Sequence, residues 1–421
     1  MRSLSMLSVF TLLACGGSSP EPAPQQDDRQ DAERTATTAP AGPVPTLLAV
    51  QAHFERVPGG GPKALPAKLV MFRYSDGTFF RDELLDEDSN VFHKVMPWRG
   101  GLITIGAMKA KIKHWTREGA GQDWEASVIW ERSWGGRFDR MRDLELGDVT
   151  GDGAENFVVA THDQGVIAVG TEVDGAWTFD ELERTPDTFI HEIEIGDVDG
   201  DGQLEFYATP SERNRAAGTS QPGGVIQYRY IDGSWQRAEV VMFEDTHAKE
   251  ILVADLDGDG TSELYVAREA IKVEEAGKPV RKDPVRILRY DPQPDGSWTP
   301  VEVATLQDDQ CRFLVAGDVN HDGRTDLVAA GYKSGLWLIE RQDDGTFKPT
   351  LIDAGSSGFE HAIHLADLDR DGKLEIYAAA DDQKAFRRYV WNGERFDRSQ
   401  VDLIGPANRS HITWNLADAE L

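Results

Sequence analysis

Five short acidic segments carry the residues of this sequence that are best suited to chemistry. Each has Asp at positions 1 and 5, Gly at position 6 and an oxygen-bearing side chain at positions 3 and 9; the segments begin at Asp148, Asp197, Asp255, Asp318 and Asp367. Side-chain oxygens at this spacing form the hard ligand set that calcium prefers. Several carboxylates within nine residues also repel one another unless a cation lies between them. The spacing therefore predicts a set of cation sites.

The segments begin like an EF-hand loop but lack the rest of one. An EF-hand has a bidentate Glu at loop position 12 and a helix on each side. Position 12 is apolar in all five segments, where the residues are Val159, Ala208, Val266, Ala329 and Ala378. The flanking residues alternate between apolar and polar, as in "EIEIGDV" before Asp197, which is typical of β-strands. We therefore expect loops that join strands.

The segments belong to a larger repeat. They recur at intervals of 49, 58, 63 and 49 residues. A second signal, a Gly-containing turn followed by an aromatic residue, recurs at Phe79, Trp124, Trp177, Trp235, Trp298, Phe347 and Phe396. Together the signals predict units of four antiparallel strands at the spacing of propeller blades. We expect an all-β fold, a single seven-bladed β-propeller over residues 46–421.

Both ends of the propeller segment are expected in one blade. The sequence of 411–421 matches that of 361–372 and then stops, while 46–54 resembles the strand that should follow. The C-terminus would supply the first strand of this blade and the N-terminal part the other three, which leaves no open sheet edge. This blade has no acidic loop, and the blade around 95–107 has a shortened loop with Arg99 in it. We expect no metal in either.

The five segments closely resemble the calcium loops of FG-GAP and VCBS repeats, which build the propellers of integrin α-subunits and of many secreted bacterial proteins. The resemblance is strong over about residues 90–405. It implies side-chain ligands at positions 1, 3, 5 and 9, a main-chain carbonyl at position 7, and loops between the first and second strands of a blade. The implied side-chain ligands are Asp148, Thr150, Asp152 and Asn156; Asp197, Asp199, Asp201 and Glu205; Asp255, Asp257, Asp259 and Glu263; Asp318, Asn320, Asp322 and Asp326; and Asp367, Asp369, Asp371 and Glu375. The implied carbonyls are those of Gln203, Thr261, Arg324 and Lys373. The loop at Asp148 departs from the pattern through Thr150 and Asn156, so we expect four Ca²⁺ ions and a weaker fifth there.

The N-terminal residues indicate export. Arg2, the apolar run 4–14 and the small residues after Cys15 have the pattern of a signal peptide. The "LLAC" of residues 12–15 resembles the lipobox of bacterial lipoproteins, which implies cleavage before Cys15 and its lipidation. The alternative is an ordinary signal peptide with an incidental cysteine. Residues 16–45 have few large apolar side chains and predict a disordered tether, so we expect a protein anchored by lipid to the bacterial envelope, at the outer membrane.

A second candidate site consists of basic and histidine side chains. Five residues stand six positions before a loop Asp, and three lie near equivalent places; the eight are His93, Arg142, His191, His247, Lys249, Arg312, His361 and His411. Because first strands line the channel of a propeller, these residues would form a basic ring at the mouth opposite the calcium loops, suited to an anion or an acidic glycan. The alternative, which we favour, is that polar residues simply begin strands and pair with Glu192, Glu250 and Glu360.

The remaining features bear on function. A formal charge of −29 disfavours binding to nucleic acid, and no common catalytic motif is present. Insertions at 55–66, 211–224 and 268–284 are expected on the face of the ring, where loops on a rigid scaffold commonly recognise partners. The sequence favours a monomeric, non-enzymatic binding module for a protein or glycan. One alternative is a lyase-like polysaccharide-active enzyme, with His191 or His361 as base near Arg142 or Arg312. The other is a purely structural envelope protein.

Overall fold

The computed structural model describes residues 42–57, 61–107, 109–119, 122–136, 139–405 and 409–421. The expected signal peptide, Cys15 and nearly all of the expected tether lie outside these residues. The described chain consists almost entirely of strands and turns, with one short 3₁₀ helix at Asp381–Gln383. Within these ranges no helix is long and apolar enough to cross a membrane.

Seven antiparallel sheets, six of four strands and one of five, form the seven blades that the repeat predicts. Blade 1 contains β1 (Pro45–Glu55), β3 (Ala67–Ser75) and β4 (Thr78–Asp86), with the short β2 (Lys63–Ala64) beside β1. Blade 2 contains β5 (Phe92–Trp98), β6 (Gly101–Gly106), β7 (Ala110–Thr116) and β8 (Glu125–Arg132). Blade 3 contains β9 (Met141–Gly147), β10 (Asn156–Thr161), β11 (Val166–Val173) and β12 (Ala176–Arg184). Blade 4 contains β13 (Thr188–Gly196), β14 (Glu205–Glu212), β15 (Gly223–Ile231) and β16 (Ser234–Phe243).

The last three blades repeat the same order. Blade 5 contains β17 (Ala248–Ala254), β18 (Glu263–Arg268), β21 (Val285–Pro292) and β22 (Trp298–Leu306), and its insertion forms a separate hairpin of β19 (Ile271–Glu275) and β20 (Lys278–Asp283). Blade 6 contains β23 (Cys311–Gly317), β24 (Asp326–Gly331), β25 (Leu336–Arg341) and β26 (Phe347–Asp353). Blade 7 contains β27 (Ile363–Ala366), β28 (Glu375–Ala380), β29 (Ala385–Trp391) and β30 (Phe396–Leu403). The final strand is β31 (Arg409–Glu420).

The ring of blades is closed by the two ends of the propeller segment, as the sequence predicts. β31 pairs with β1 from Pro45 opposite Glu420 to Glu55 opposite Arg409. It thereby becomes the innermost strand of blade 1, which it shares with β1, β3 and β4. The innermost strands β5, β9, β13, β17, β23, β27 and β31 contact one another in a closed circuit. The prediction of a closed seven-bladed propeller is therefore confirmed.

The cores lie between neighbouring blades. Seven buried clusters each combine residues of two adjacent blades, and each includes one of the seven aromatic residues that follow a Gly turn. Trp235, for example, begins the outer strand of blade 4 and packs on Phe206, with ring centroids 5.4 Å apart. Cys311 is a buried free cysteine in β23. The repeated aromatic signal is therefore a device for packing one blade on the next.

Candidate metal loops and the channel ring

The five acidic segments, hereafter the metal loops, each join the innermost strand of a blade to its second strand. The first Asp of each loop accepts hydrogen bonds from main-chain N–H groups later in the loop. Asp197, for example, accepts from Asp201 (3.1 Å) and Gly202 (2.9 Å). Gly202 has φ +86°, a left-handed conformation that glycine adopts without a steric penalty. The loop thereby coils around its own carboxylates.

The coiling brings acidic ligands together in three loops. The side-chain oxygens of Asp367, Asp369, Asp371 and Glu375 lie within 4.8 Å of one another, and so do those of two smaller sets: Asp197 with Asp199 and Glu205, and Asp255 with Asp257 and Asp259. The loop at Asp318 has three carboxylates and Asn320, whose Oδ1 accepts from the N–H of Asp322 at 3.1 Å. These oxygen-only clusters are chemically suited to a hard divalent cation.

The ligand at position 9 is a buried carboxylate in three loops (Glu205, Asp326 and Glu375), the half-buried Glu263 in the fourth and an amide in the fifth. Asp326 is fully buried, and among the described residues its Oδ2 has no hydrogen-bond partner. Burial raises the pKa of Asp326 and of Glu205 to about 7, and it also raises the pKa of Glu263 and of Glu375. A buried carboxylate without a counter-charge is costly. The loops at Asp197, Asp255 and Asp318 therefore fit a cation that would supply this charge, whereas Glu375 already pairs with Arg388.

The loop at Asp148 differs from the others in its chemistry. Asn156 Oδ1 accepts from the N–H of Val149 and from Thr150 Oγ1, both at 3.2 Å. Its Nδ2 donates to Thr171 Oγ1 at 3.2 Å. Two expected ligands are thus bonded to each other, and only Asp148 and Asp152 contribute charge. This is the least suitable of the five loops for a divalent cation.

Three tyrosines that the sequence analysis missed support the glutamates at position 9. Each tyrosine donates its hydroxyl to the glutamate two residues earlier: Tyr207 to Glu205 (2.6 Å), Tyr265 to Glu263 (3.3 Å) and Tyr377 to Glu375 (2.9 Å). The two loops with Asp or Asn at position 9 have Val at the place of the tyrosine. The recurrent Glu-x-Tyr was therefore a readable signal, because the tyrosine accompanies only the longer carboxylate.

Two arginine side chains from the third strands of blades also contact the metal loops. Arg388, on the third strand of blade 7, donates to Asp369 and to Glu375 Oε1 (2.6 Å). Arg229, on the third strand of blade 4, donates to Asp199 Oδ2 at 2.6 Å. No local sequence signal indicates these contacts, because they depend on how the second and third strands of each blade pair. The guanidinium groups offset part of the negative charge of the two loops.

A recurrent β-bulge positions most of the second candidate site. In the innermost strands of blades 2 to 6, the pairing register with the second strand shifts at one place. The residues without a cross-strand partner there include His93, Arg142, His191, Lys249 and Arg312. Trp414 occupies the same kind of shift in β31. A bulge re-aims its extra side chain, and in an innermost strand this directs the side chain to the channel.

Three of the eight expected residues lie elsewhere. His361 precedes β27 in a left-handed conformation (φ +50°) instead of beginning a strand, and its ring bonds Ser356 Oγ and the carbonyl of Gly331, both at 2.8 Å. His411 stacks on His53, its cross-strand partner, with ring centroids 5.6 Å apart. His247 precedes β17 and lies beside His191, with ring centroids 5.3 Å apart.

Glu360 is where the cations of the ring converge. It lies within 3.8 Å of Arg142 and 3.1 Å of Lys249, and it also pairs with Arg312. Burial alone would raise its pKa, but these three cations lower the pKa of Glu360 to about 2. With Glu360 in blade 7, each blade contributes one residue. We call His93, Arg142, His191, Lys249, Arg312, Glu360 and Trp414 the channel ring.

The charge of the channel is mixed: Lys249 pairs with Glu250 and Glu360, which fits the favoured alternative better than it fits a basic ring. Burial lowers the pKa of His93 and of His191 well below the usual range, so both are neutral at pH 7. The next residues along the strands form an acidic layer: Asp143, which pairs with Lys94 at 2.8 Å, and then Glu192 and Glu250. Four ring residues and this layer line a cavity of about 30 Å³, the size of about two waters. The channel contains paired and neutral groups because burial of an unpaired charge is energetically costly.

Acid is expected to destabilise the protein through His361. Burial lowers its pKa to about 4, whereas the unfolded residue titrates near 6.5. The contribution of neutral His361 is therefore complete above pH 6.5 and falls by about 3 kcal/mol as the pH is lowered to 4 and below. His361→Gln is expected to show a shallower loss of melting temperature between pH 6.5 and 4. The same change at the partly exposed His364 is the control; equal slopes in both variants would contradict the prediction.

Comparisons with known proteins agree with this architecture. Residues 318–378 match the family model described as an FG-GAP-like repeat. The match begins at the first Asp of one metal loop and ends in β28, just after the next loop. No curated protein matches this sequence.

Two solved structures share the fold at low identity. A protein of Bacteroides fragilis, described as a candidate 6-phosphogluconolactonase, is 12% identical with a TM-score of 0.52, over 91% of this chain and 99% of its own. A protein of Bacteroides uniformis with the same description is 10% identical with a TM-score of 0.54, over 90% and 100%. At such identity the likeness shows the fold alone. The chain is thus a seven-bladed β-propeller, and it contains an FG-GAP-like repeat at residues 318–378.

Proposed function

We propose that the metal loops beginning at Asp197, Asp255, Asp318 and Asp367 bind Ca²⁺, with a weaker fifth site at Asp148. The observation that carries this proposal is the fully buried Asp326, whose Oδ2 has no partner in the described chain. A divalent cation would give this carboxylate oxygen a partner and would offset the negative charge of the clustered oxygens in the other loops. Oxygen-only ligands select hard cations such as calcium over soft metals.

We expect the proposed ions to stabilise the fold. Each loop joins the two inner strands of a blade, so a bound ion would fix the turn between them. Extracellular calcium modules bind with dissociation constants of about 0.1–1 mM, which suits permanent occupancy outside the cell better than sensing within it. In the loops at Asp197, Asp318 and Asp367 the buried position 9 carboxylate would also link the ion to the blade core.

Calcium binding is testable by counting ions. Calorimetric titration of the calcium-free protein is expected to give four sites of about 0.1–1 mM. Asp257→Asn should remove one of them because it deletes a charged ligand of the loop at Asp255. Asp232→Asn, in an Asp-Gly turn outside the metal loops, is the matched control and should keep four. Absence of heat in the wild type, or an unchanged count in Asp257→Asn, would contradict the assignment.

We extend the proposal to location: the protein is exported and tethered by lipid on Cys15 to the bacterial envelope, at the outer membrane. The lipobox-like sequence at 12–15 supports this. Cys15→Ser is expected to move the protein from the membrane fraction to the soluble exported fraction. An unaltered membrane fraction would contradict lipidation.

A binding role is best supported on the face opposite the metal loops. The insertions of blades 4 and 5 are tied together there, because Ser220 donates its N–H to the carbonyl of Lys272 (3.0 Å) and its hydroxyl to that of Ala270 (2.8 Å). The insertion of blade 5 also contains the hairpin of β19 and β20. We propose that a monomer binds a protein or glycan on this face. If glycan arrays and pull-downs both identify no partner, the structural-protein alternative is preferred.

The lyase alternative is less well supported. Both ring nitrogens of His361 are engaged by Ser356 and Gly331, and His191 Nε2 bonds Ser211 Oγ at 2.9 Å. The cavity beside His191 is about 30 Å³, which is far below the volume of a ligand pocket and too small for the sugar ring that a lyase must bring to its base. Release of product from an acidic glycan, abolished by His191→Ala, would reverse this preference.

A further inference from the structure

The channel ring is built to present one side chain from every blade at one level. Bulges place its members in blades 1 to 6, and Glu360 completes it in blade 7. All three cations of the ring are at least nine-tenths buried. Four members, His93, Arg142, Lys249 and Arg312, are each the second residue of their innermost strand, so the ring lies nearer the end of the channel that carries the insertions.

The ring itself has an excess of positive charge. Arg142, Lys249 and Arg312 share the single carboxylate Glu360. Two other carboxyl groups interact with these cations. Glu250 lies 3.6 Å from Lys249 and belongs to the acidic layer one step further along the strands. The buried Glu269 interacts electrostatically with Arg312 and Lys249, but burial raises its pKa to about 8, which favours its neutral form at pH 7. Since His93 and His191 are neutral, the seven-residue layer carries more cations than anions. This layer lies nearer the insertion face than the acidic layer does.

Two donors of the ring have nothing to bond. Within the described chain, Arg312 Nε and Trp414 Nε1 are buried without a hydrogen-bond partner. Both groups donate only, so each requires an acceptor. A buried donor without an acceptor is destabilising. Arg142 lies 5.2 Å from the ring centre of Trp414, which places a cation beside one of the orphaned donors.

The rim above these donors has an apolar side. The ring of Phe359 is 47% exposed, and the guanidinium of Arg312 lies 5.1 Å from its centre. Phe359 also contacts Trp414 edge to face, at 6.5 Å between ring centroids. An aromatic surface beside cations and unpaired donors is chemically complementary to an acid group carried on a ring with apolar faces.

We propose that the channel ring binds a small oxyanion, a carboxylate or a sulfate, such as the acid group of an acidic sugar. Its oxygens would accept from the orphaned donors and balance the excess of cations. The acidic layer beyond the ring limits the ligand to one acid group that enters from the insertion face. The site is independent of the metal loops, which lie at the opposite ends of the innermost strands.

The test is calorimetric titration with sodium sulfate, D-galacturonate and D-galactose at low ionic strength. We expect the two anions to bind and the neutral sugar, matched to galacturonate, to give no heat. Sulfate binding with no galacturonate binding would restrict the ligand to the sulfate class, and the reverse would restrict it to the carboxylate class. Heat from galactose equal to that from galacturonate would overturn the proposal.

Two variants of the ring are expected to change the affinity for anions in opposite directions. Arg142→Gln, at the longest contact to Glu360, is expected to weaken anion binding about tenfold, because it removes a charged hydrogen-bond donor. Glu360→Gln should strengthen binding by a similar factor, because it removes the competing carboxylate. Arg99→Gln, an exposed cation outside the ring, is the control. If wild type and Glu360→Gln both fail to bind anions, or if ring variants and control have the same affinity, the proposal is wrong.

If circular dichroism shows that Arg142→Gln is misfolded, Arg142→Lys replaces it. Because lysine keeps the charge, Arg142→Lys should still bind the anions, but more weakly than Glu360→Gln does. Loss of binding in Arg142→Lys, or binding tighter than that of Glu360→Gln, would contradict the charge argument. Titrations in about 1 mM calcium and after removal of calcium by chelation and desalting separate this proposal from that for the metal loops. Anion binding without calcium binding would overturn only the latter.

Discussion

Removal of calcium is expected to lower the melting temperature of this protein by about 10 °C. At about 2 mM calcium, a site with a dissociation constant near 0.1 mM adds about 2 kcal/mol to the free energy of unfolding. Four such sites add about 7 kcal/mol in total. For a chain of this size each kcal/mol corresponds to a shift of between one and two degrees. Thermal melts with calcium and with excess chelator measure the difference directly.

The control for chelation is the addition of calcium back to the protein. Calcium added in excess of the chelator should return the melting temperature to its original value, whereas magnesium, which demands tighter octahedral geometry, should restore less. In Asp257→Asn the difference between the two conditions should shrink by about a quarter, because one of four equal sites is lost. A melting curve that is identical with and without chelator would contradict the proposed role of the ions.

The sequence predicts the fold well because the fold is repetitive. Metal loops and Gly-aromatic turns each mark a fixed place in a blade, so that a weak local signal gains certainty through recurrence. Trp235 and its equivalents do pack between blades, as their regular spacing requires. The likeness of 411–421 to 361–372 also identifies the strand that closes the ring.

The candidate sites are less fully predictable, because they depend on register. Arg388 contacts Glu375 only because its strand pairs so that Arg388 faces Tyr377. The bulges that aim Arg142 and Lys249 at the channel are not marked by any residue type. The choice of Glu360 over His361 in the ring follows from the left-handed conformation of His361, which a counting rule from the loop Asp cannot anticipate.

Deletion of residues 409–421 is expected to abolish cooperative folding. These residues form β31, which is the innermost strand of blade 1 and contacts both β5 and β27. Without it, β1 would expose a long row of unpaired N–H and C=O groups, which promotes association between chains. The truncated protein should therefore aggregate or show no single unfolding transition, measured by circular dichroism and light scattering during a melt.

Graded substitutions test the same closure without deleting a strand. Leu416 of β31 is 3% exposed and packs with residues of blades 7 and 1. Leu416→Ala should cost about 2–4 kcal/mol, as the loss of a buried leucine typically does. Glu420→Ala, in the same strand, removes an exposed ion pair with Arg370 and should cost less than about 1 kcal/mol. If the truncated chain melts cooperatively at the wild-type temperature, or if the two substitutions cost the same, β31 does not hold the ring closed. Because β31 pairs with β1 across nearly the whole length of the chain, we expect this pairing to form late in folding, so Leu416→Ala should accelerate unfolding more than it slows folding.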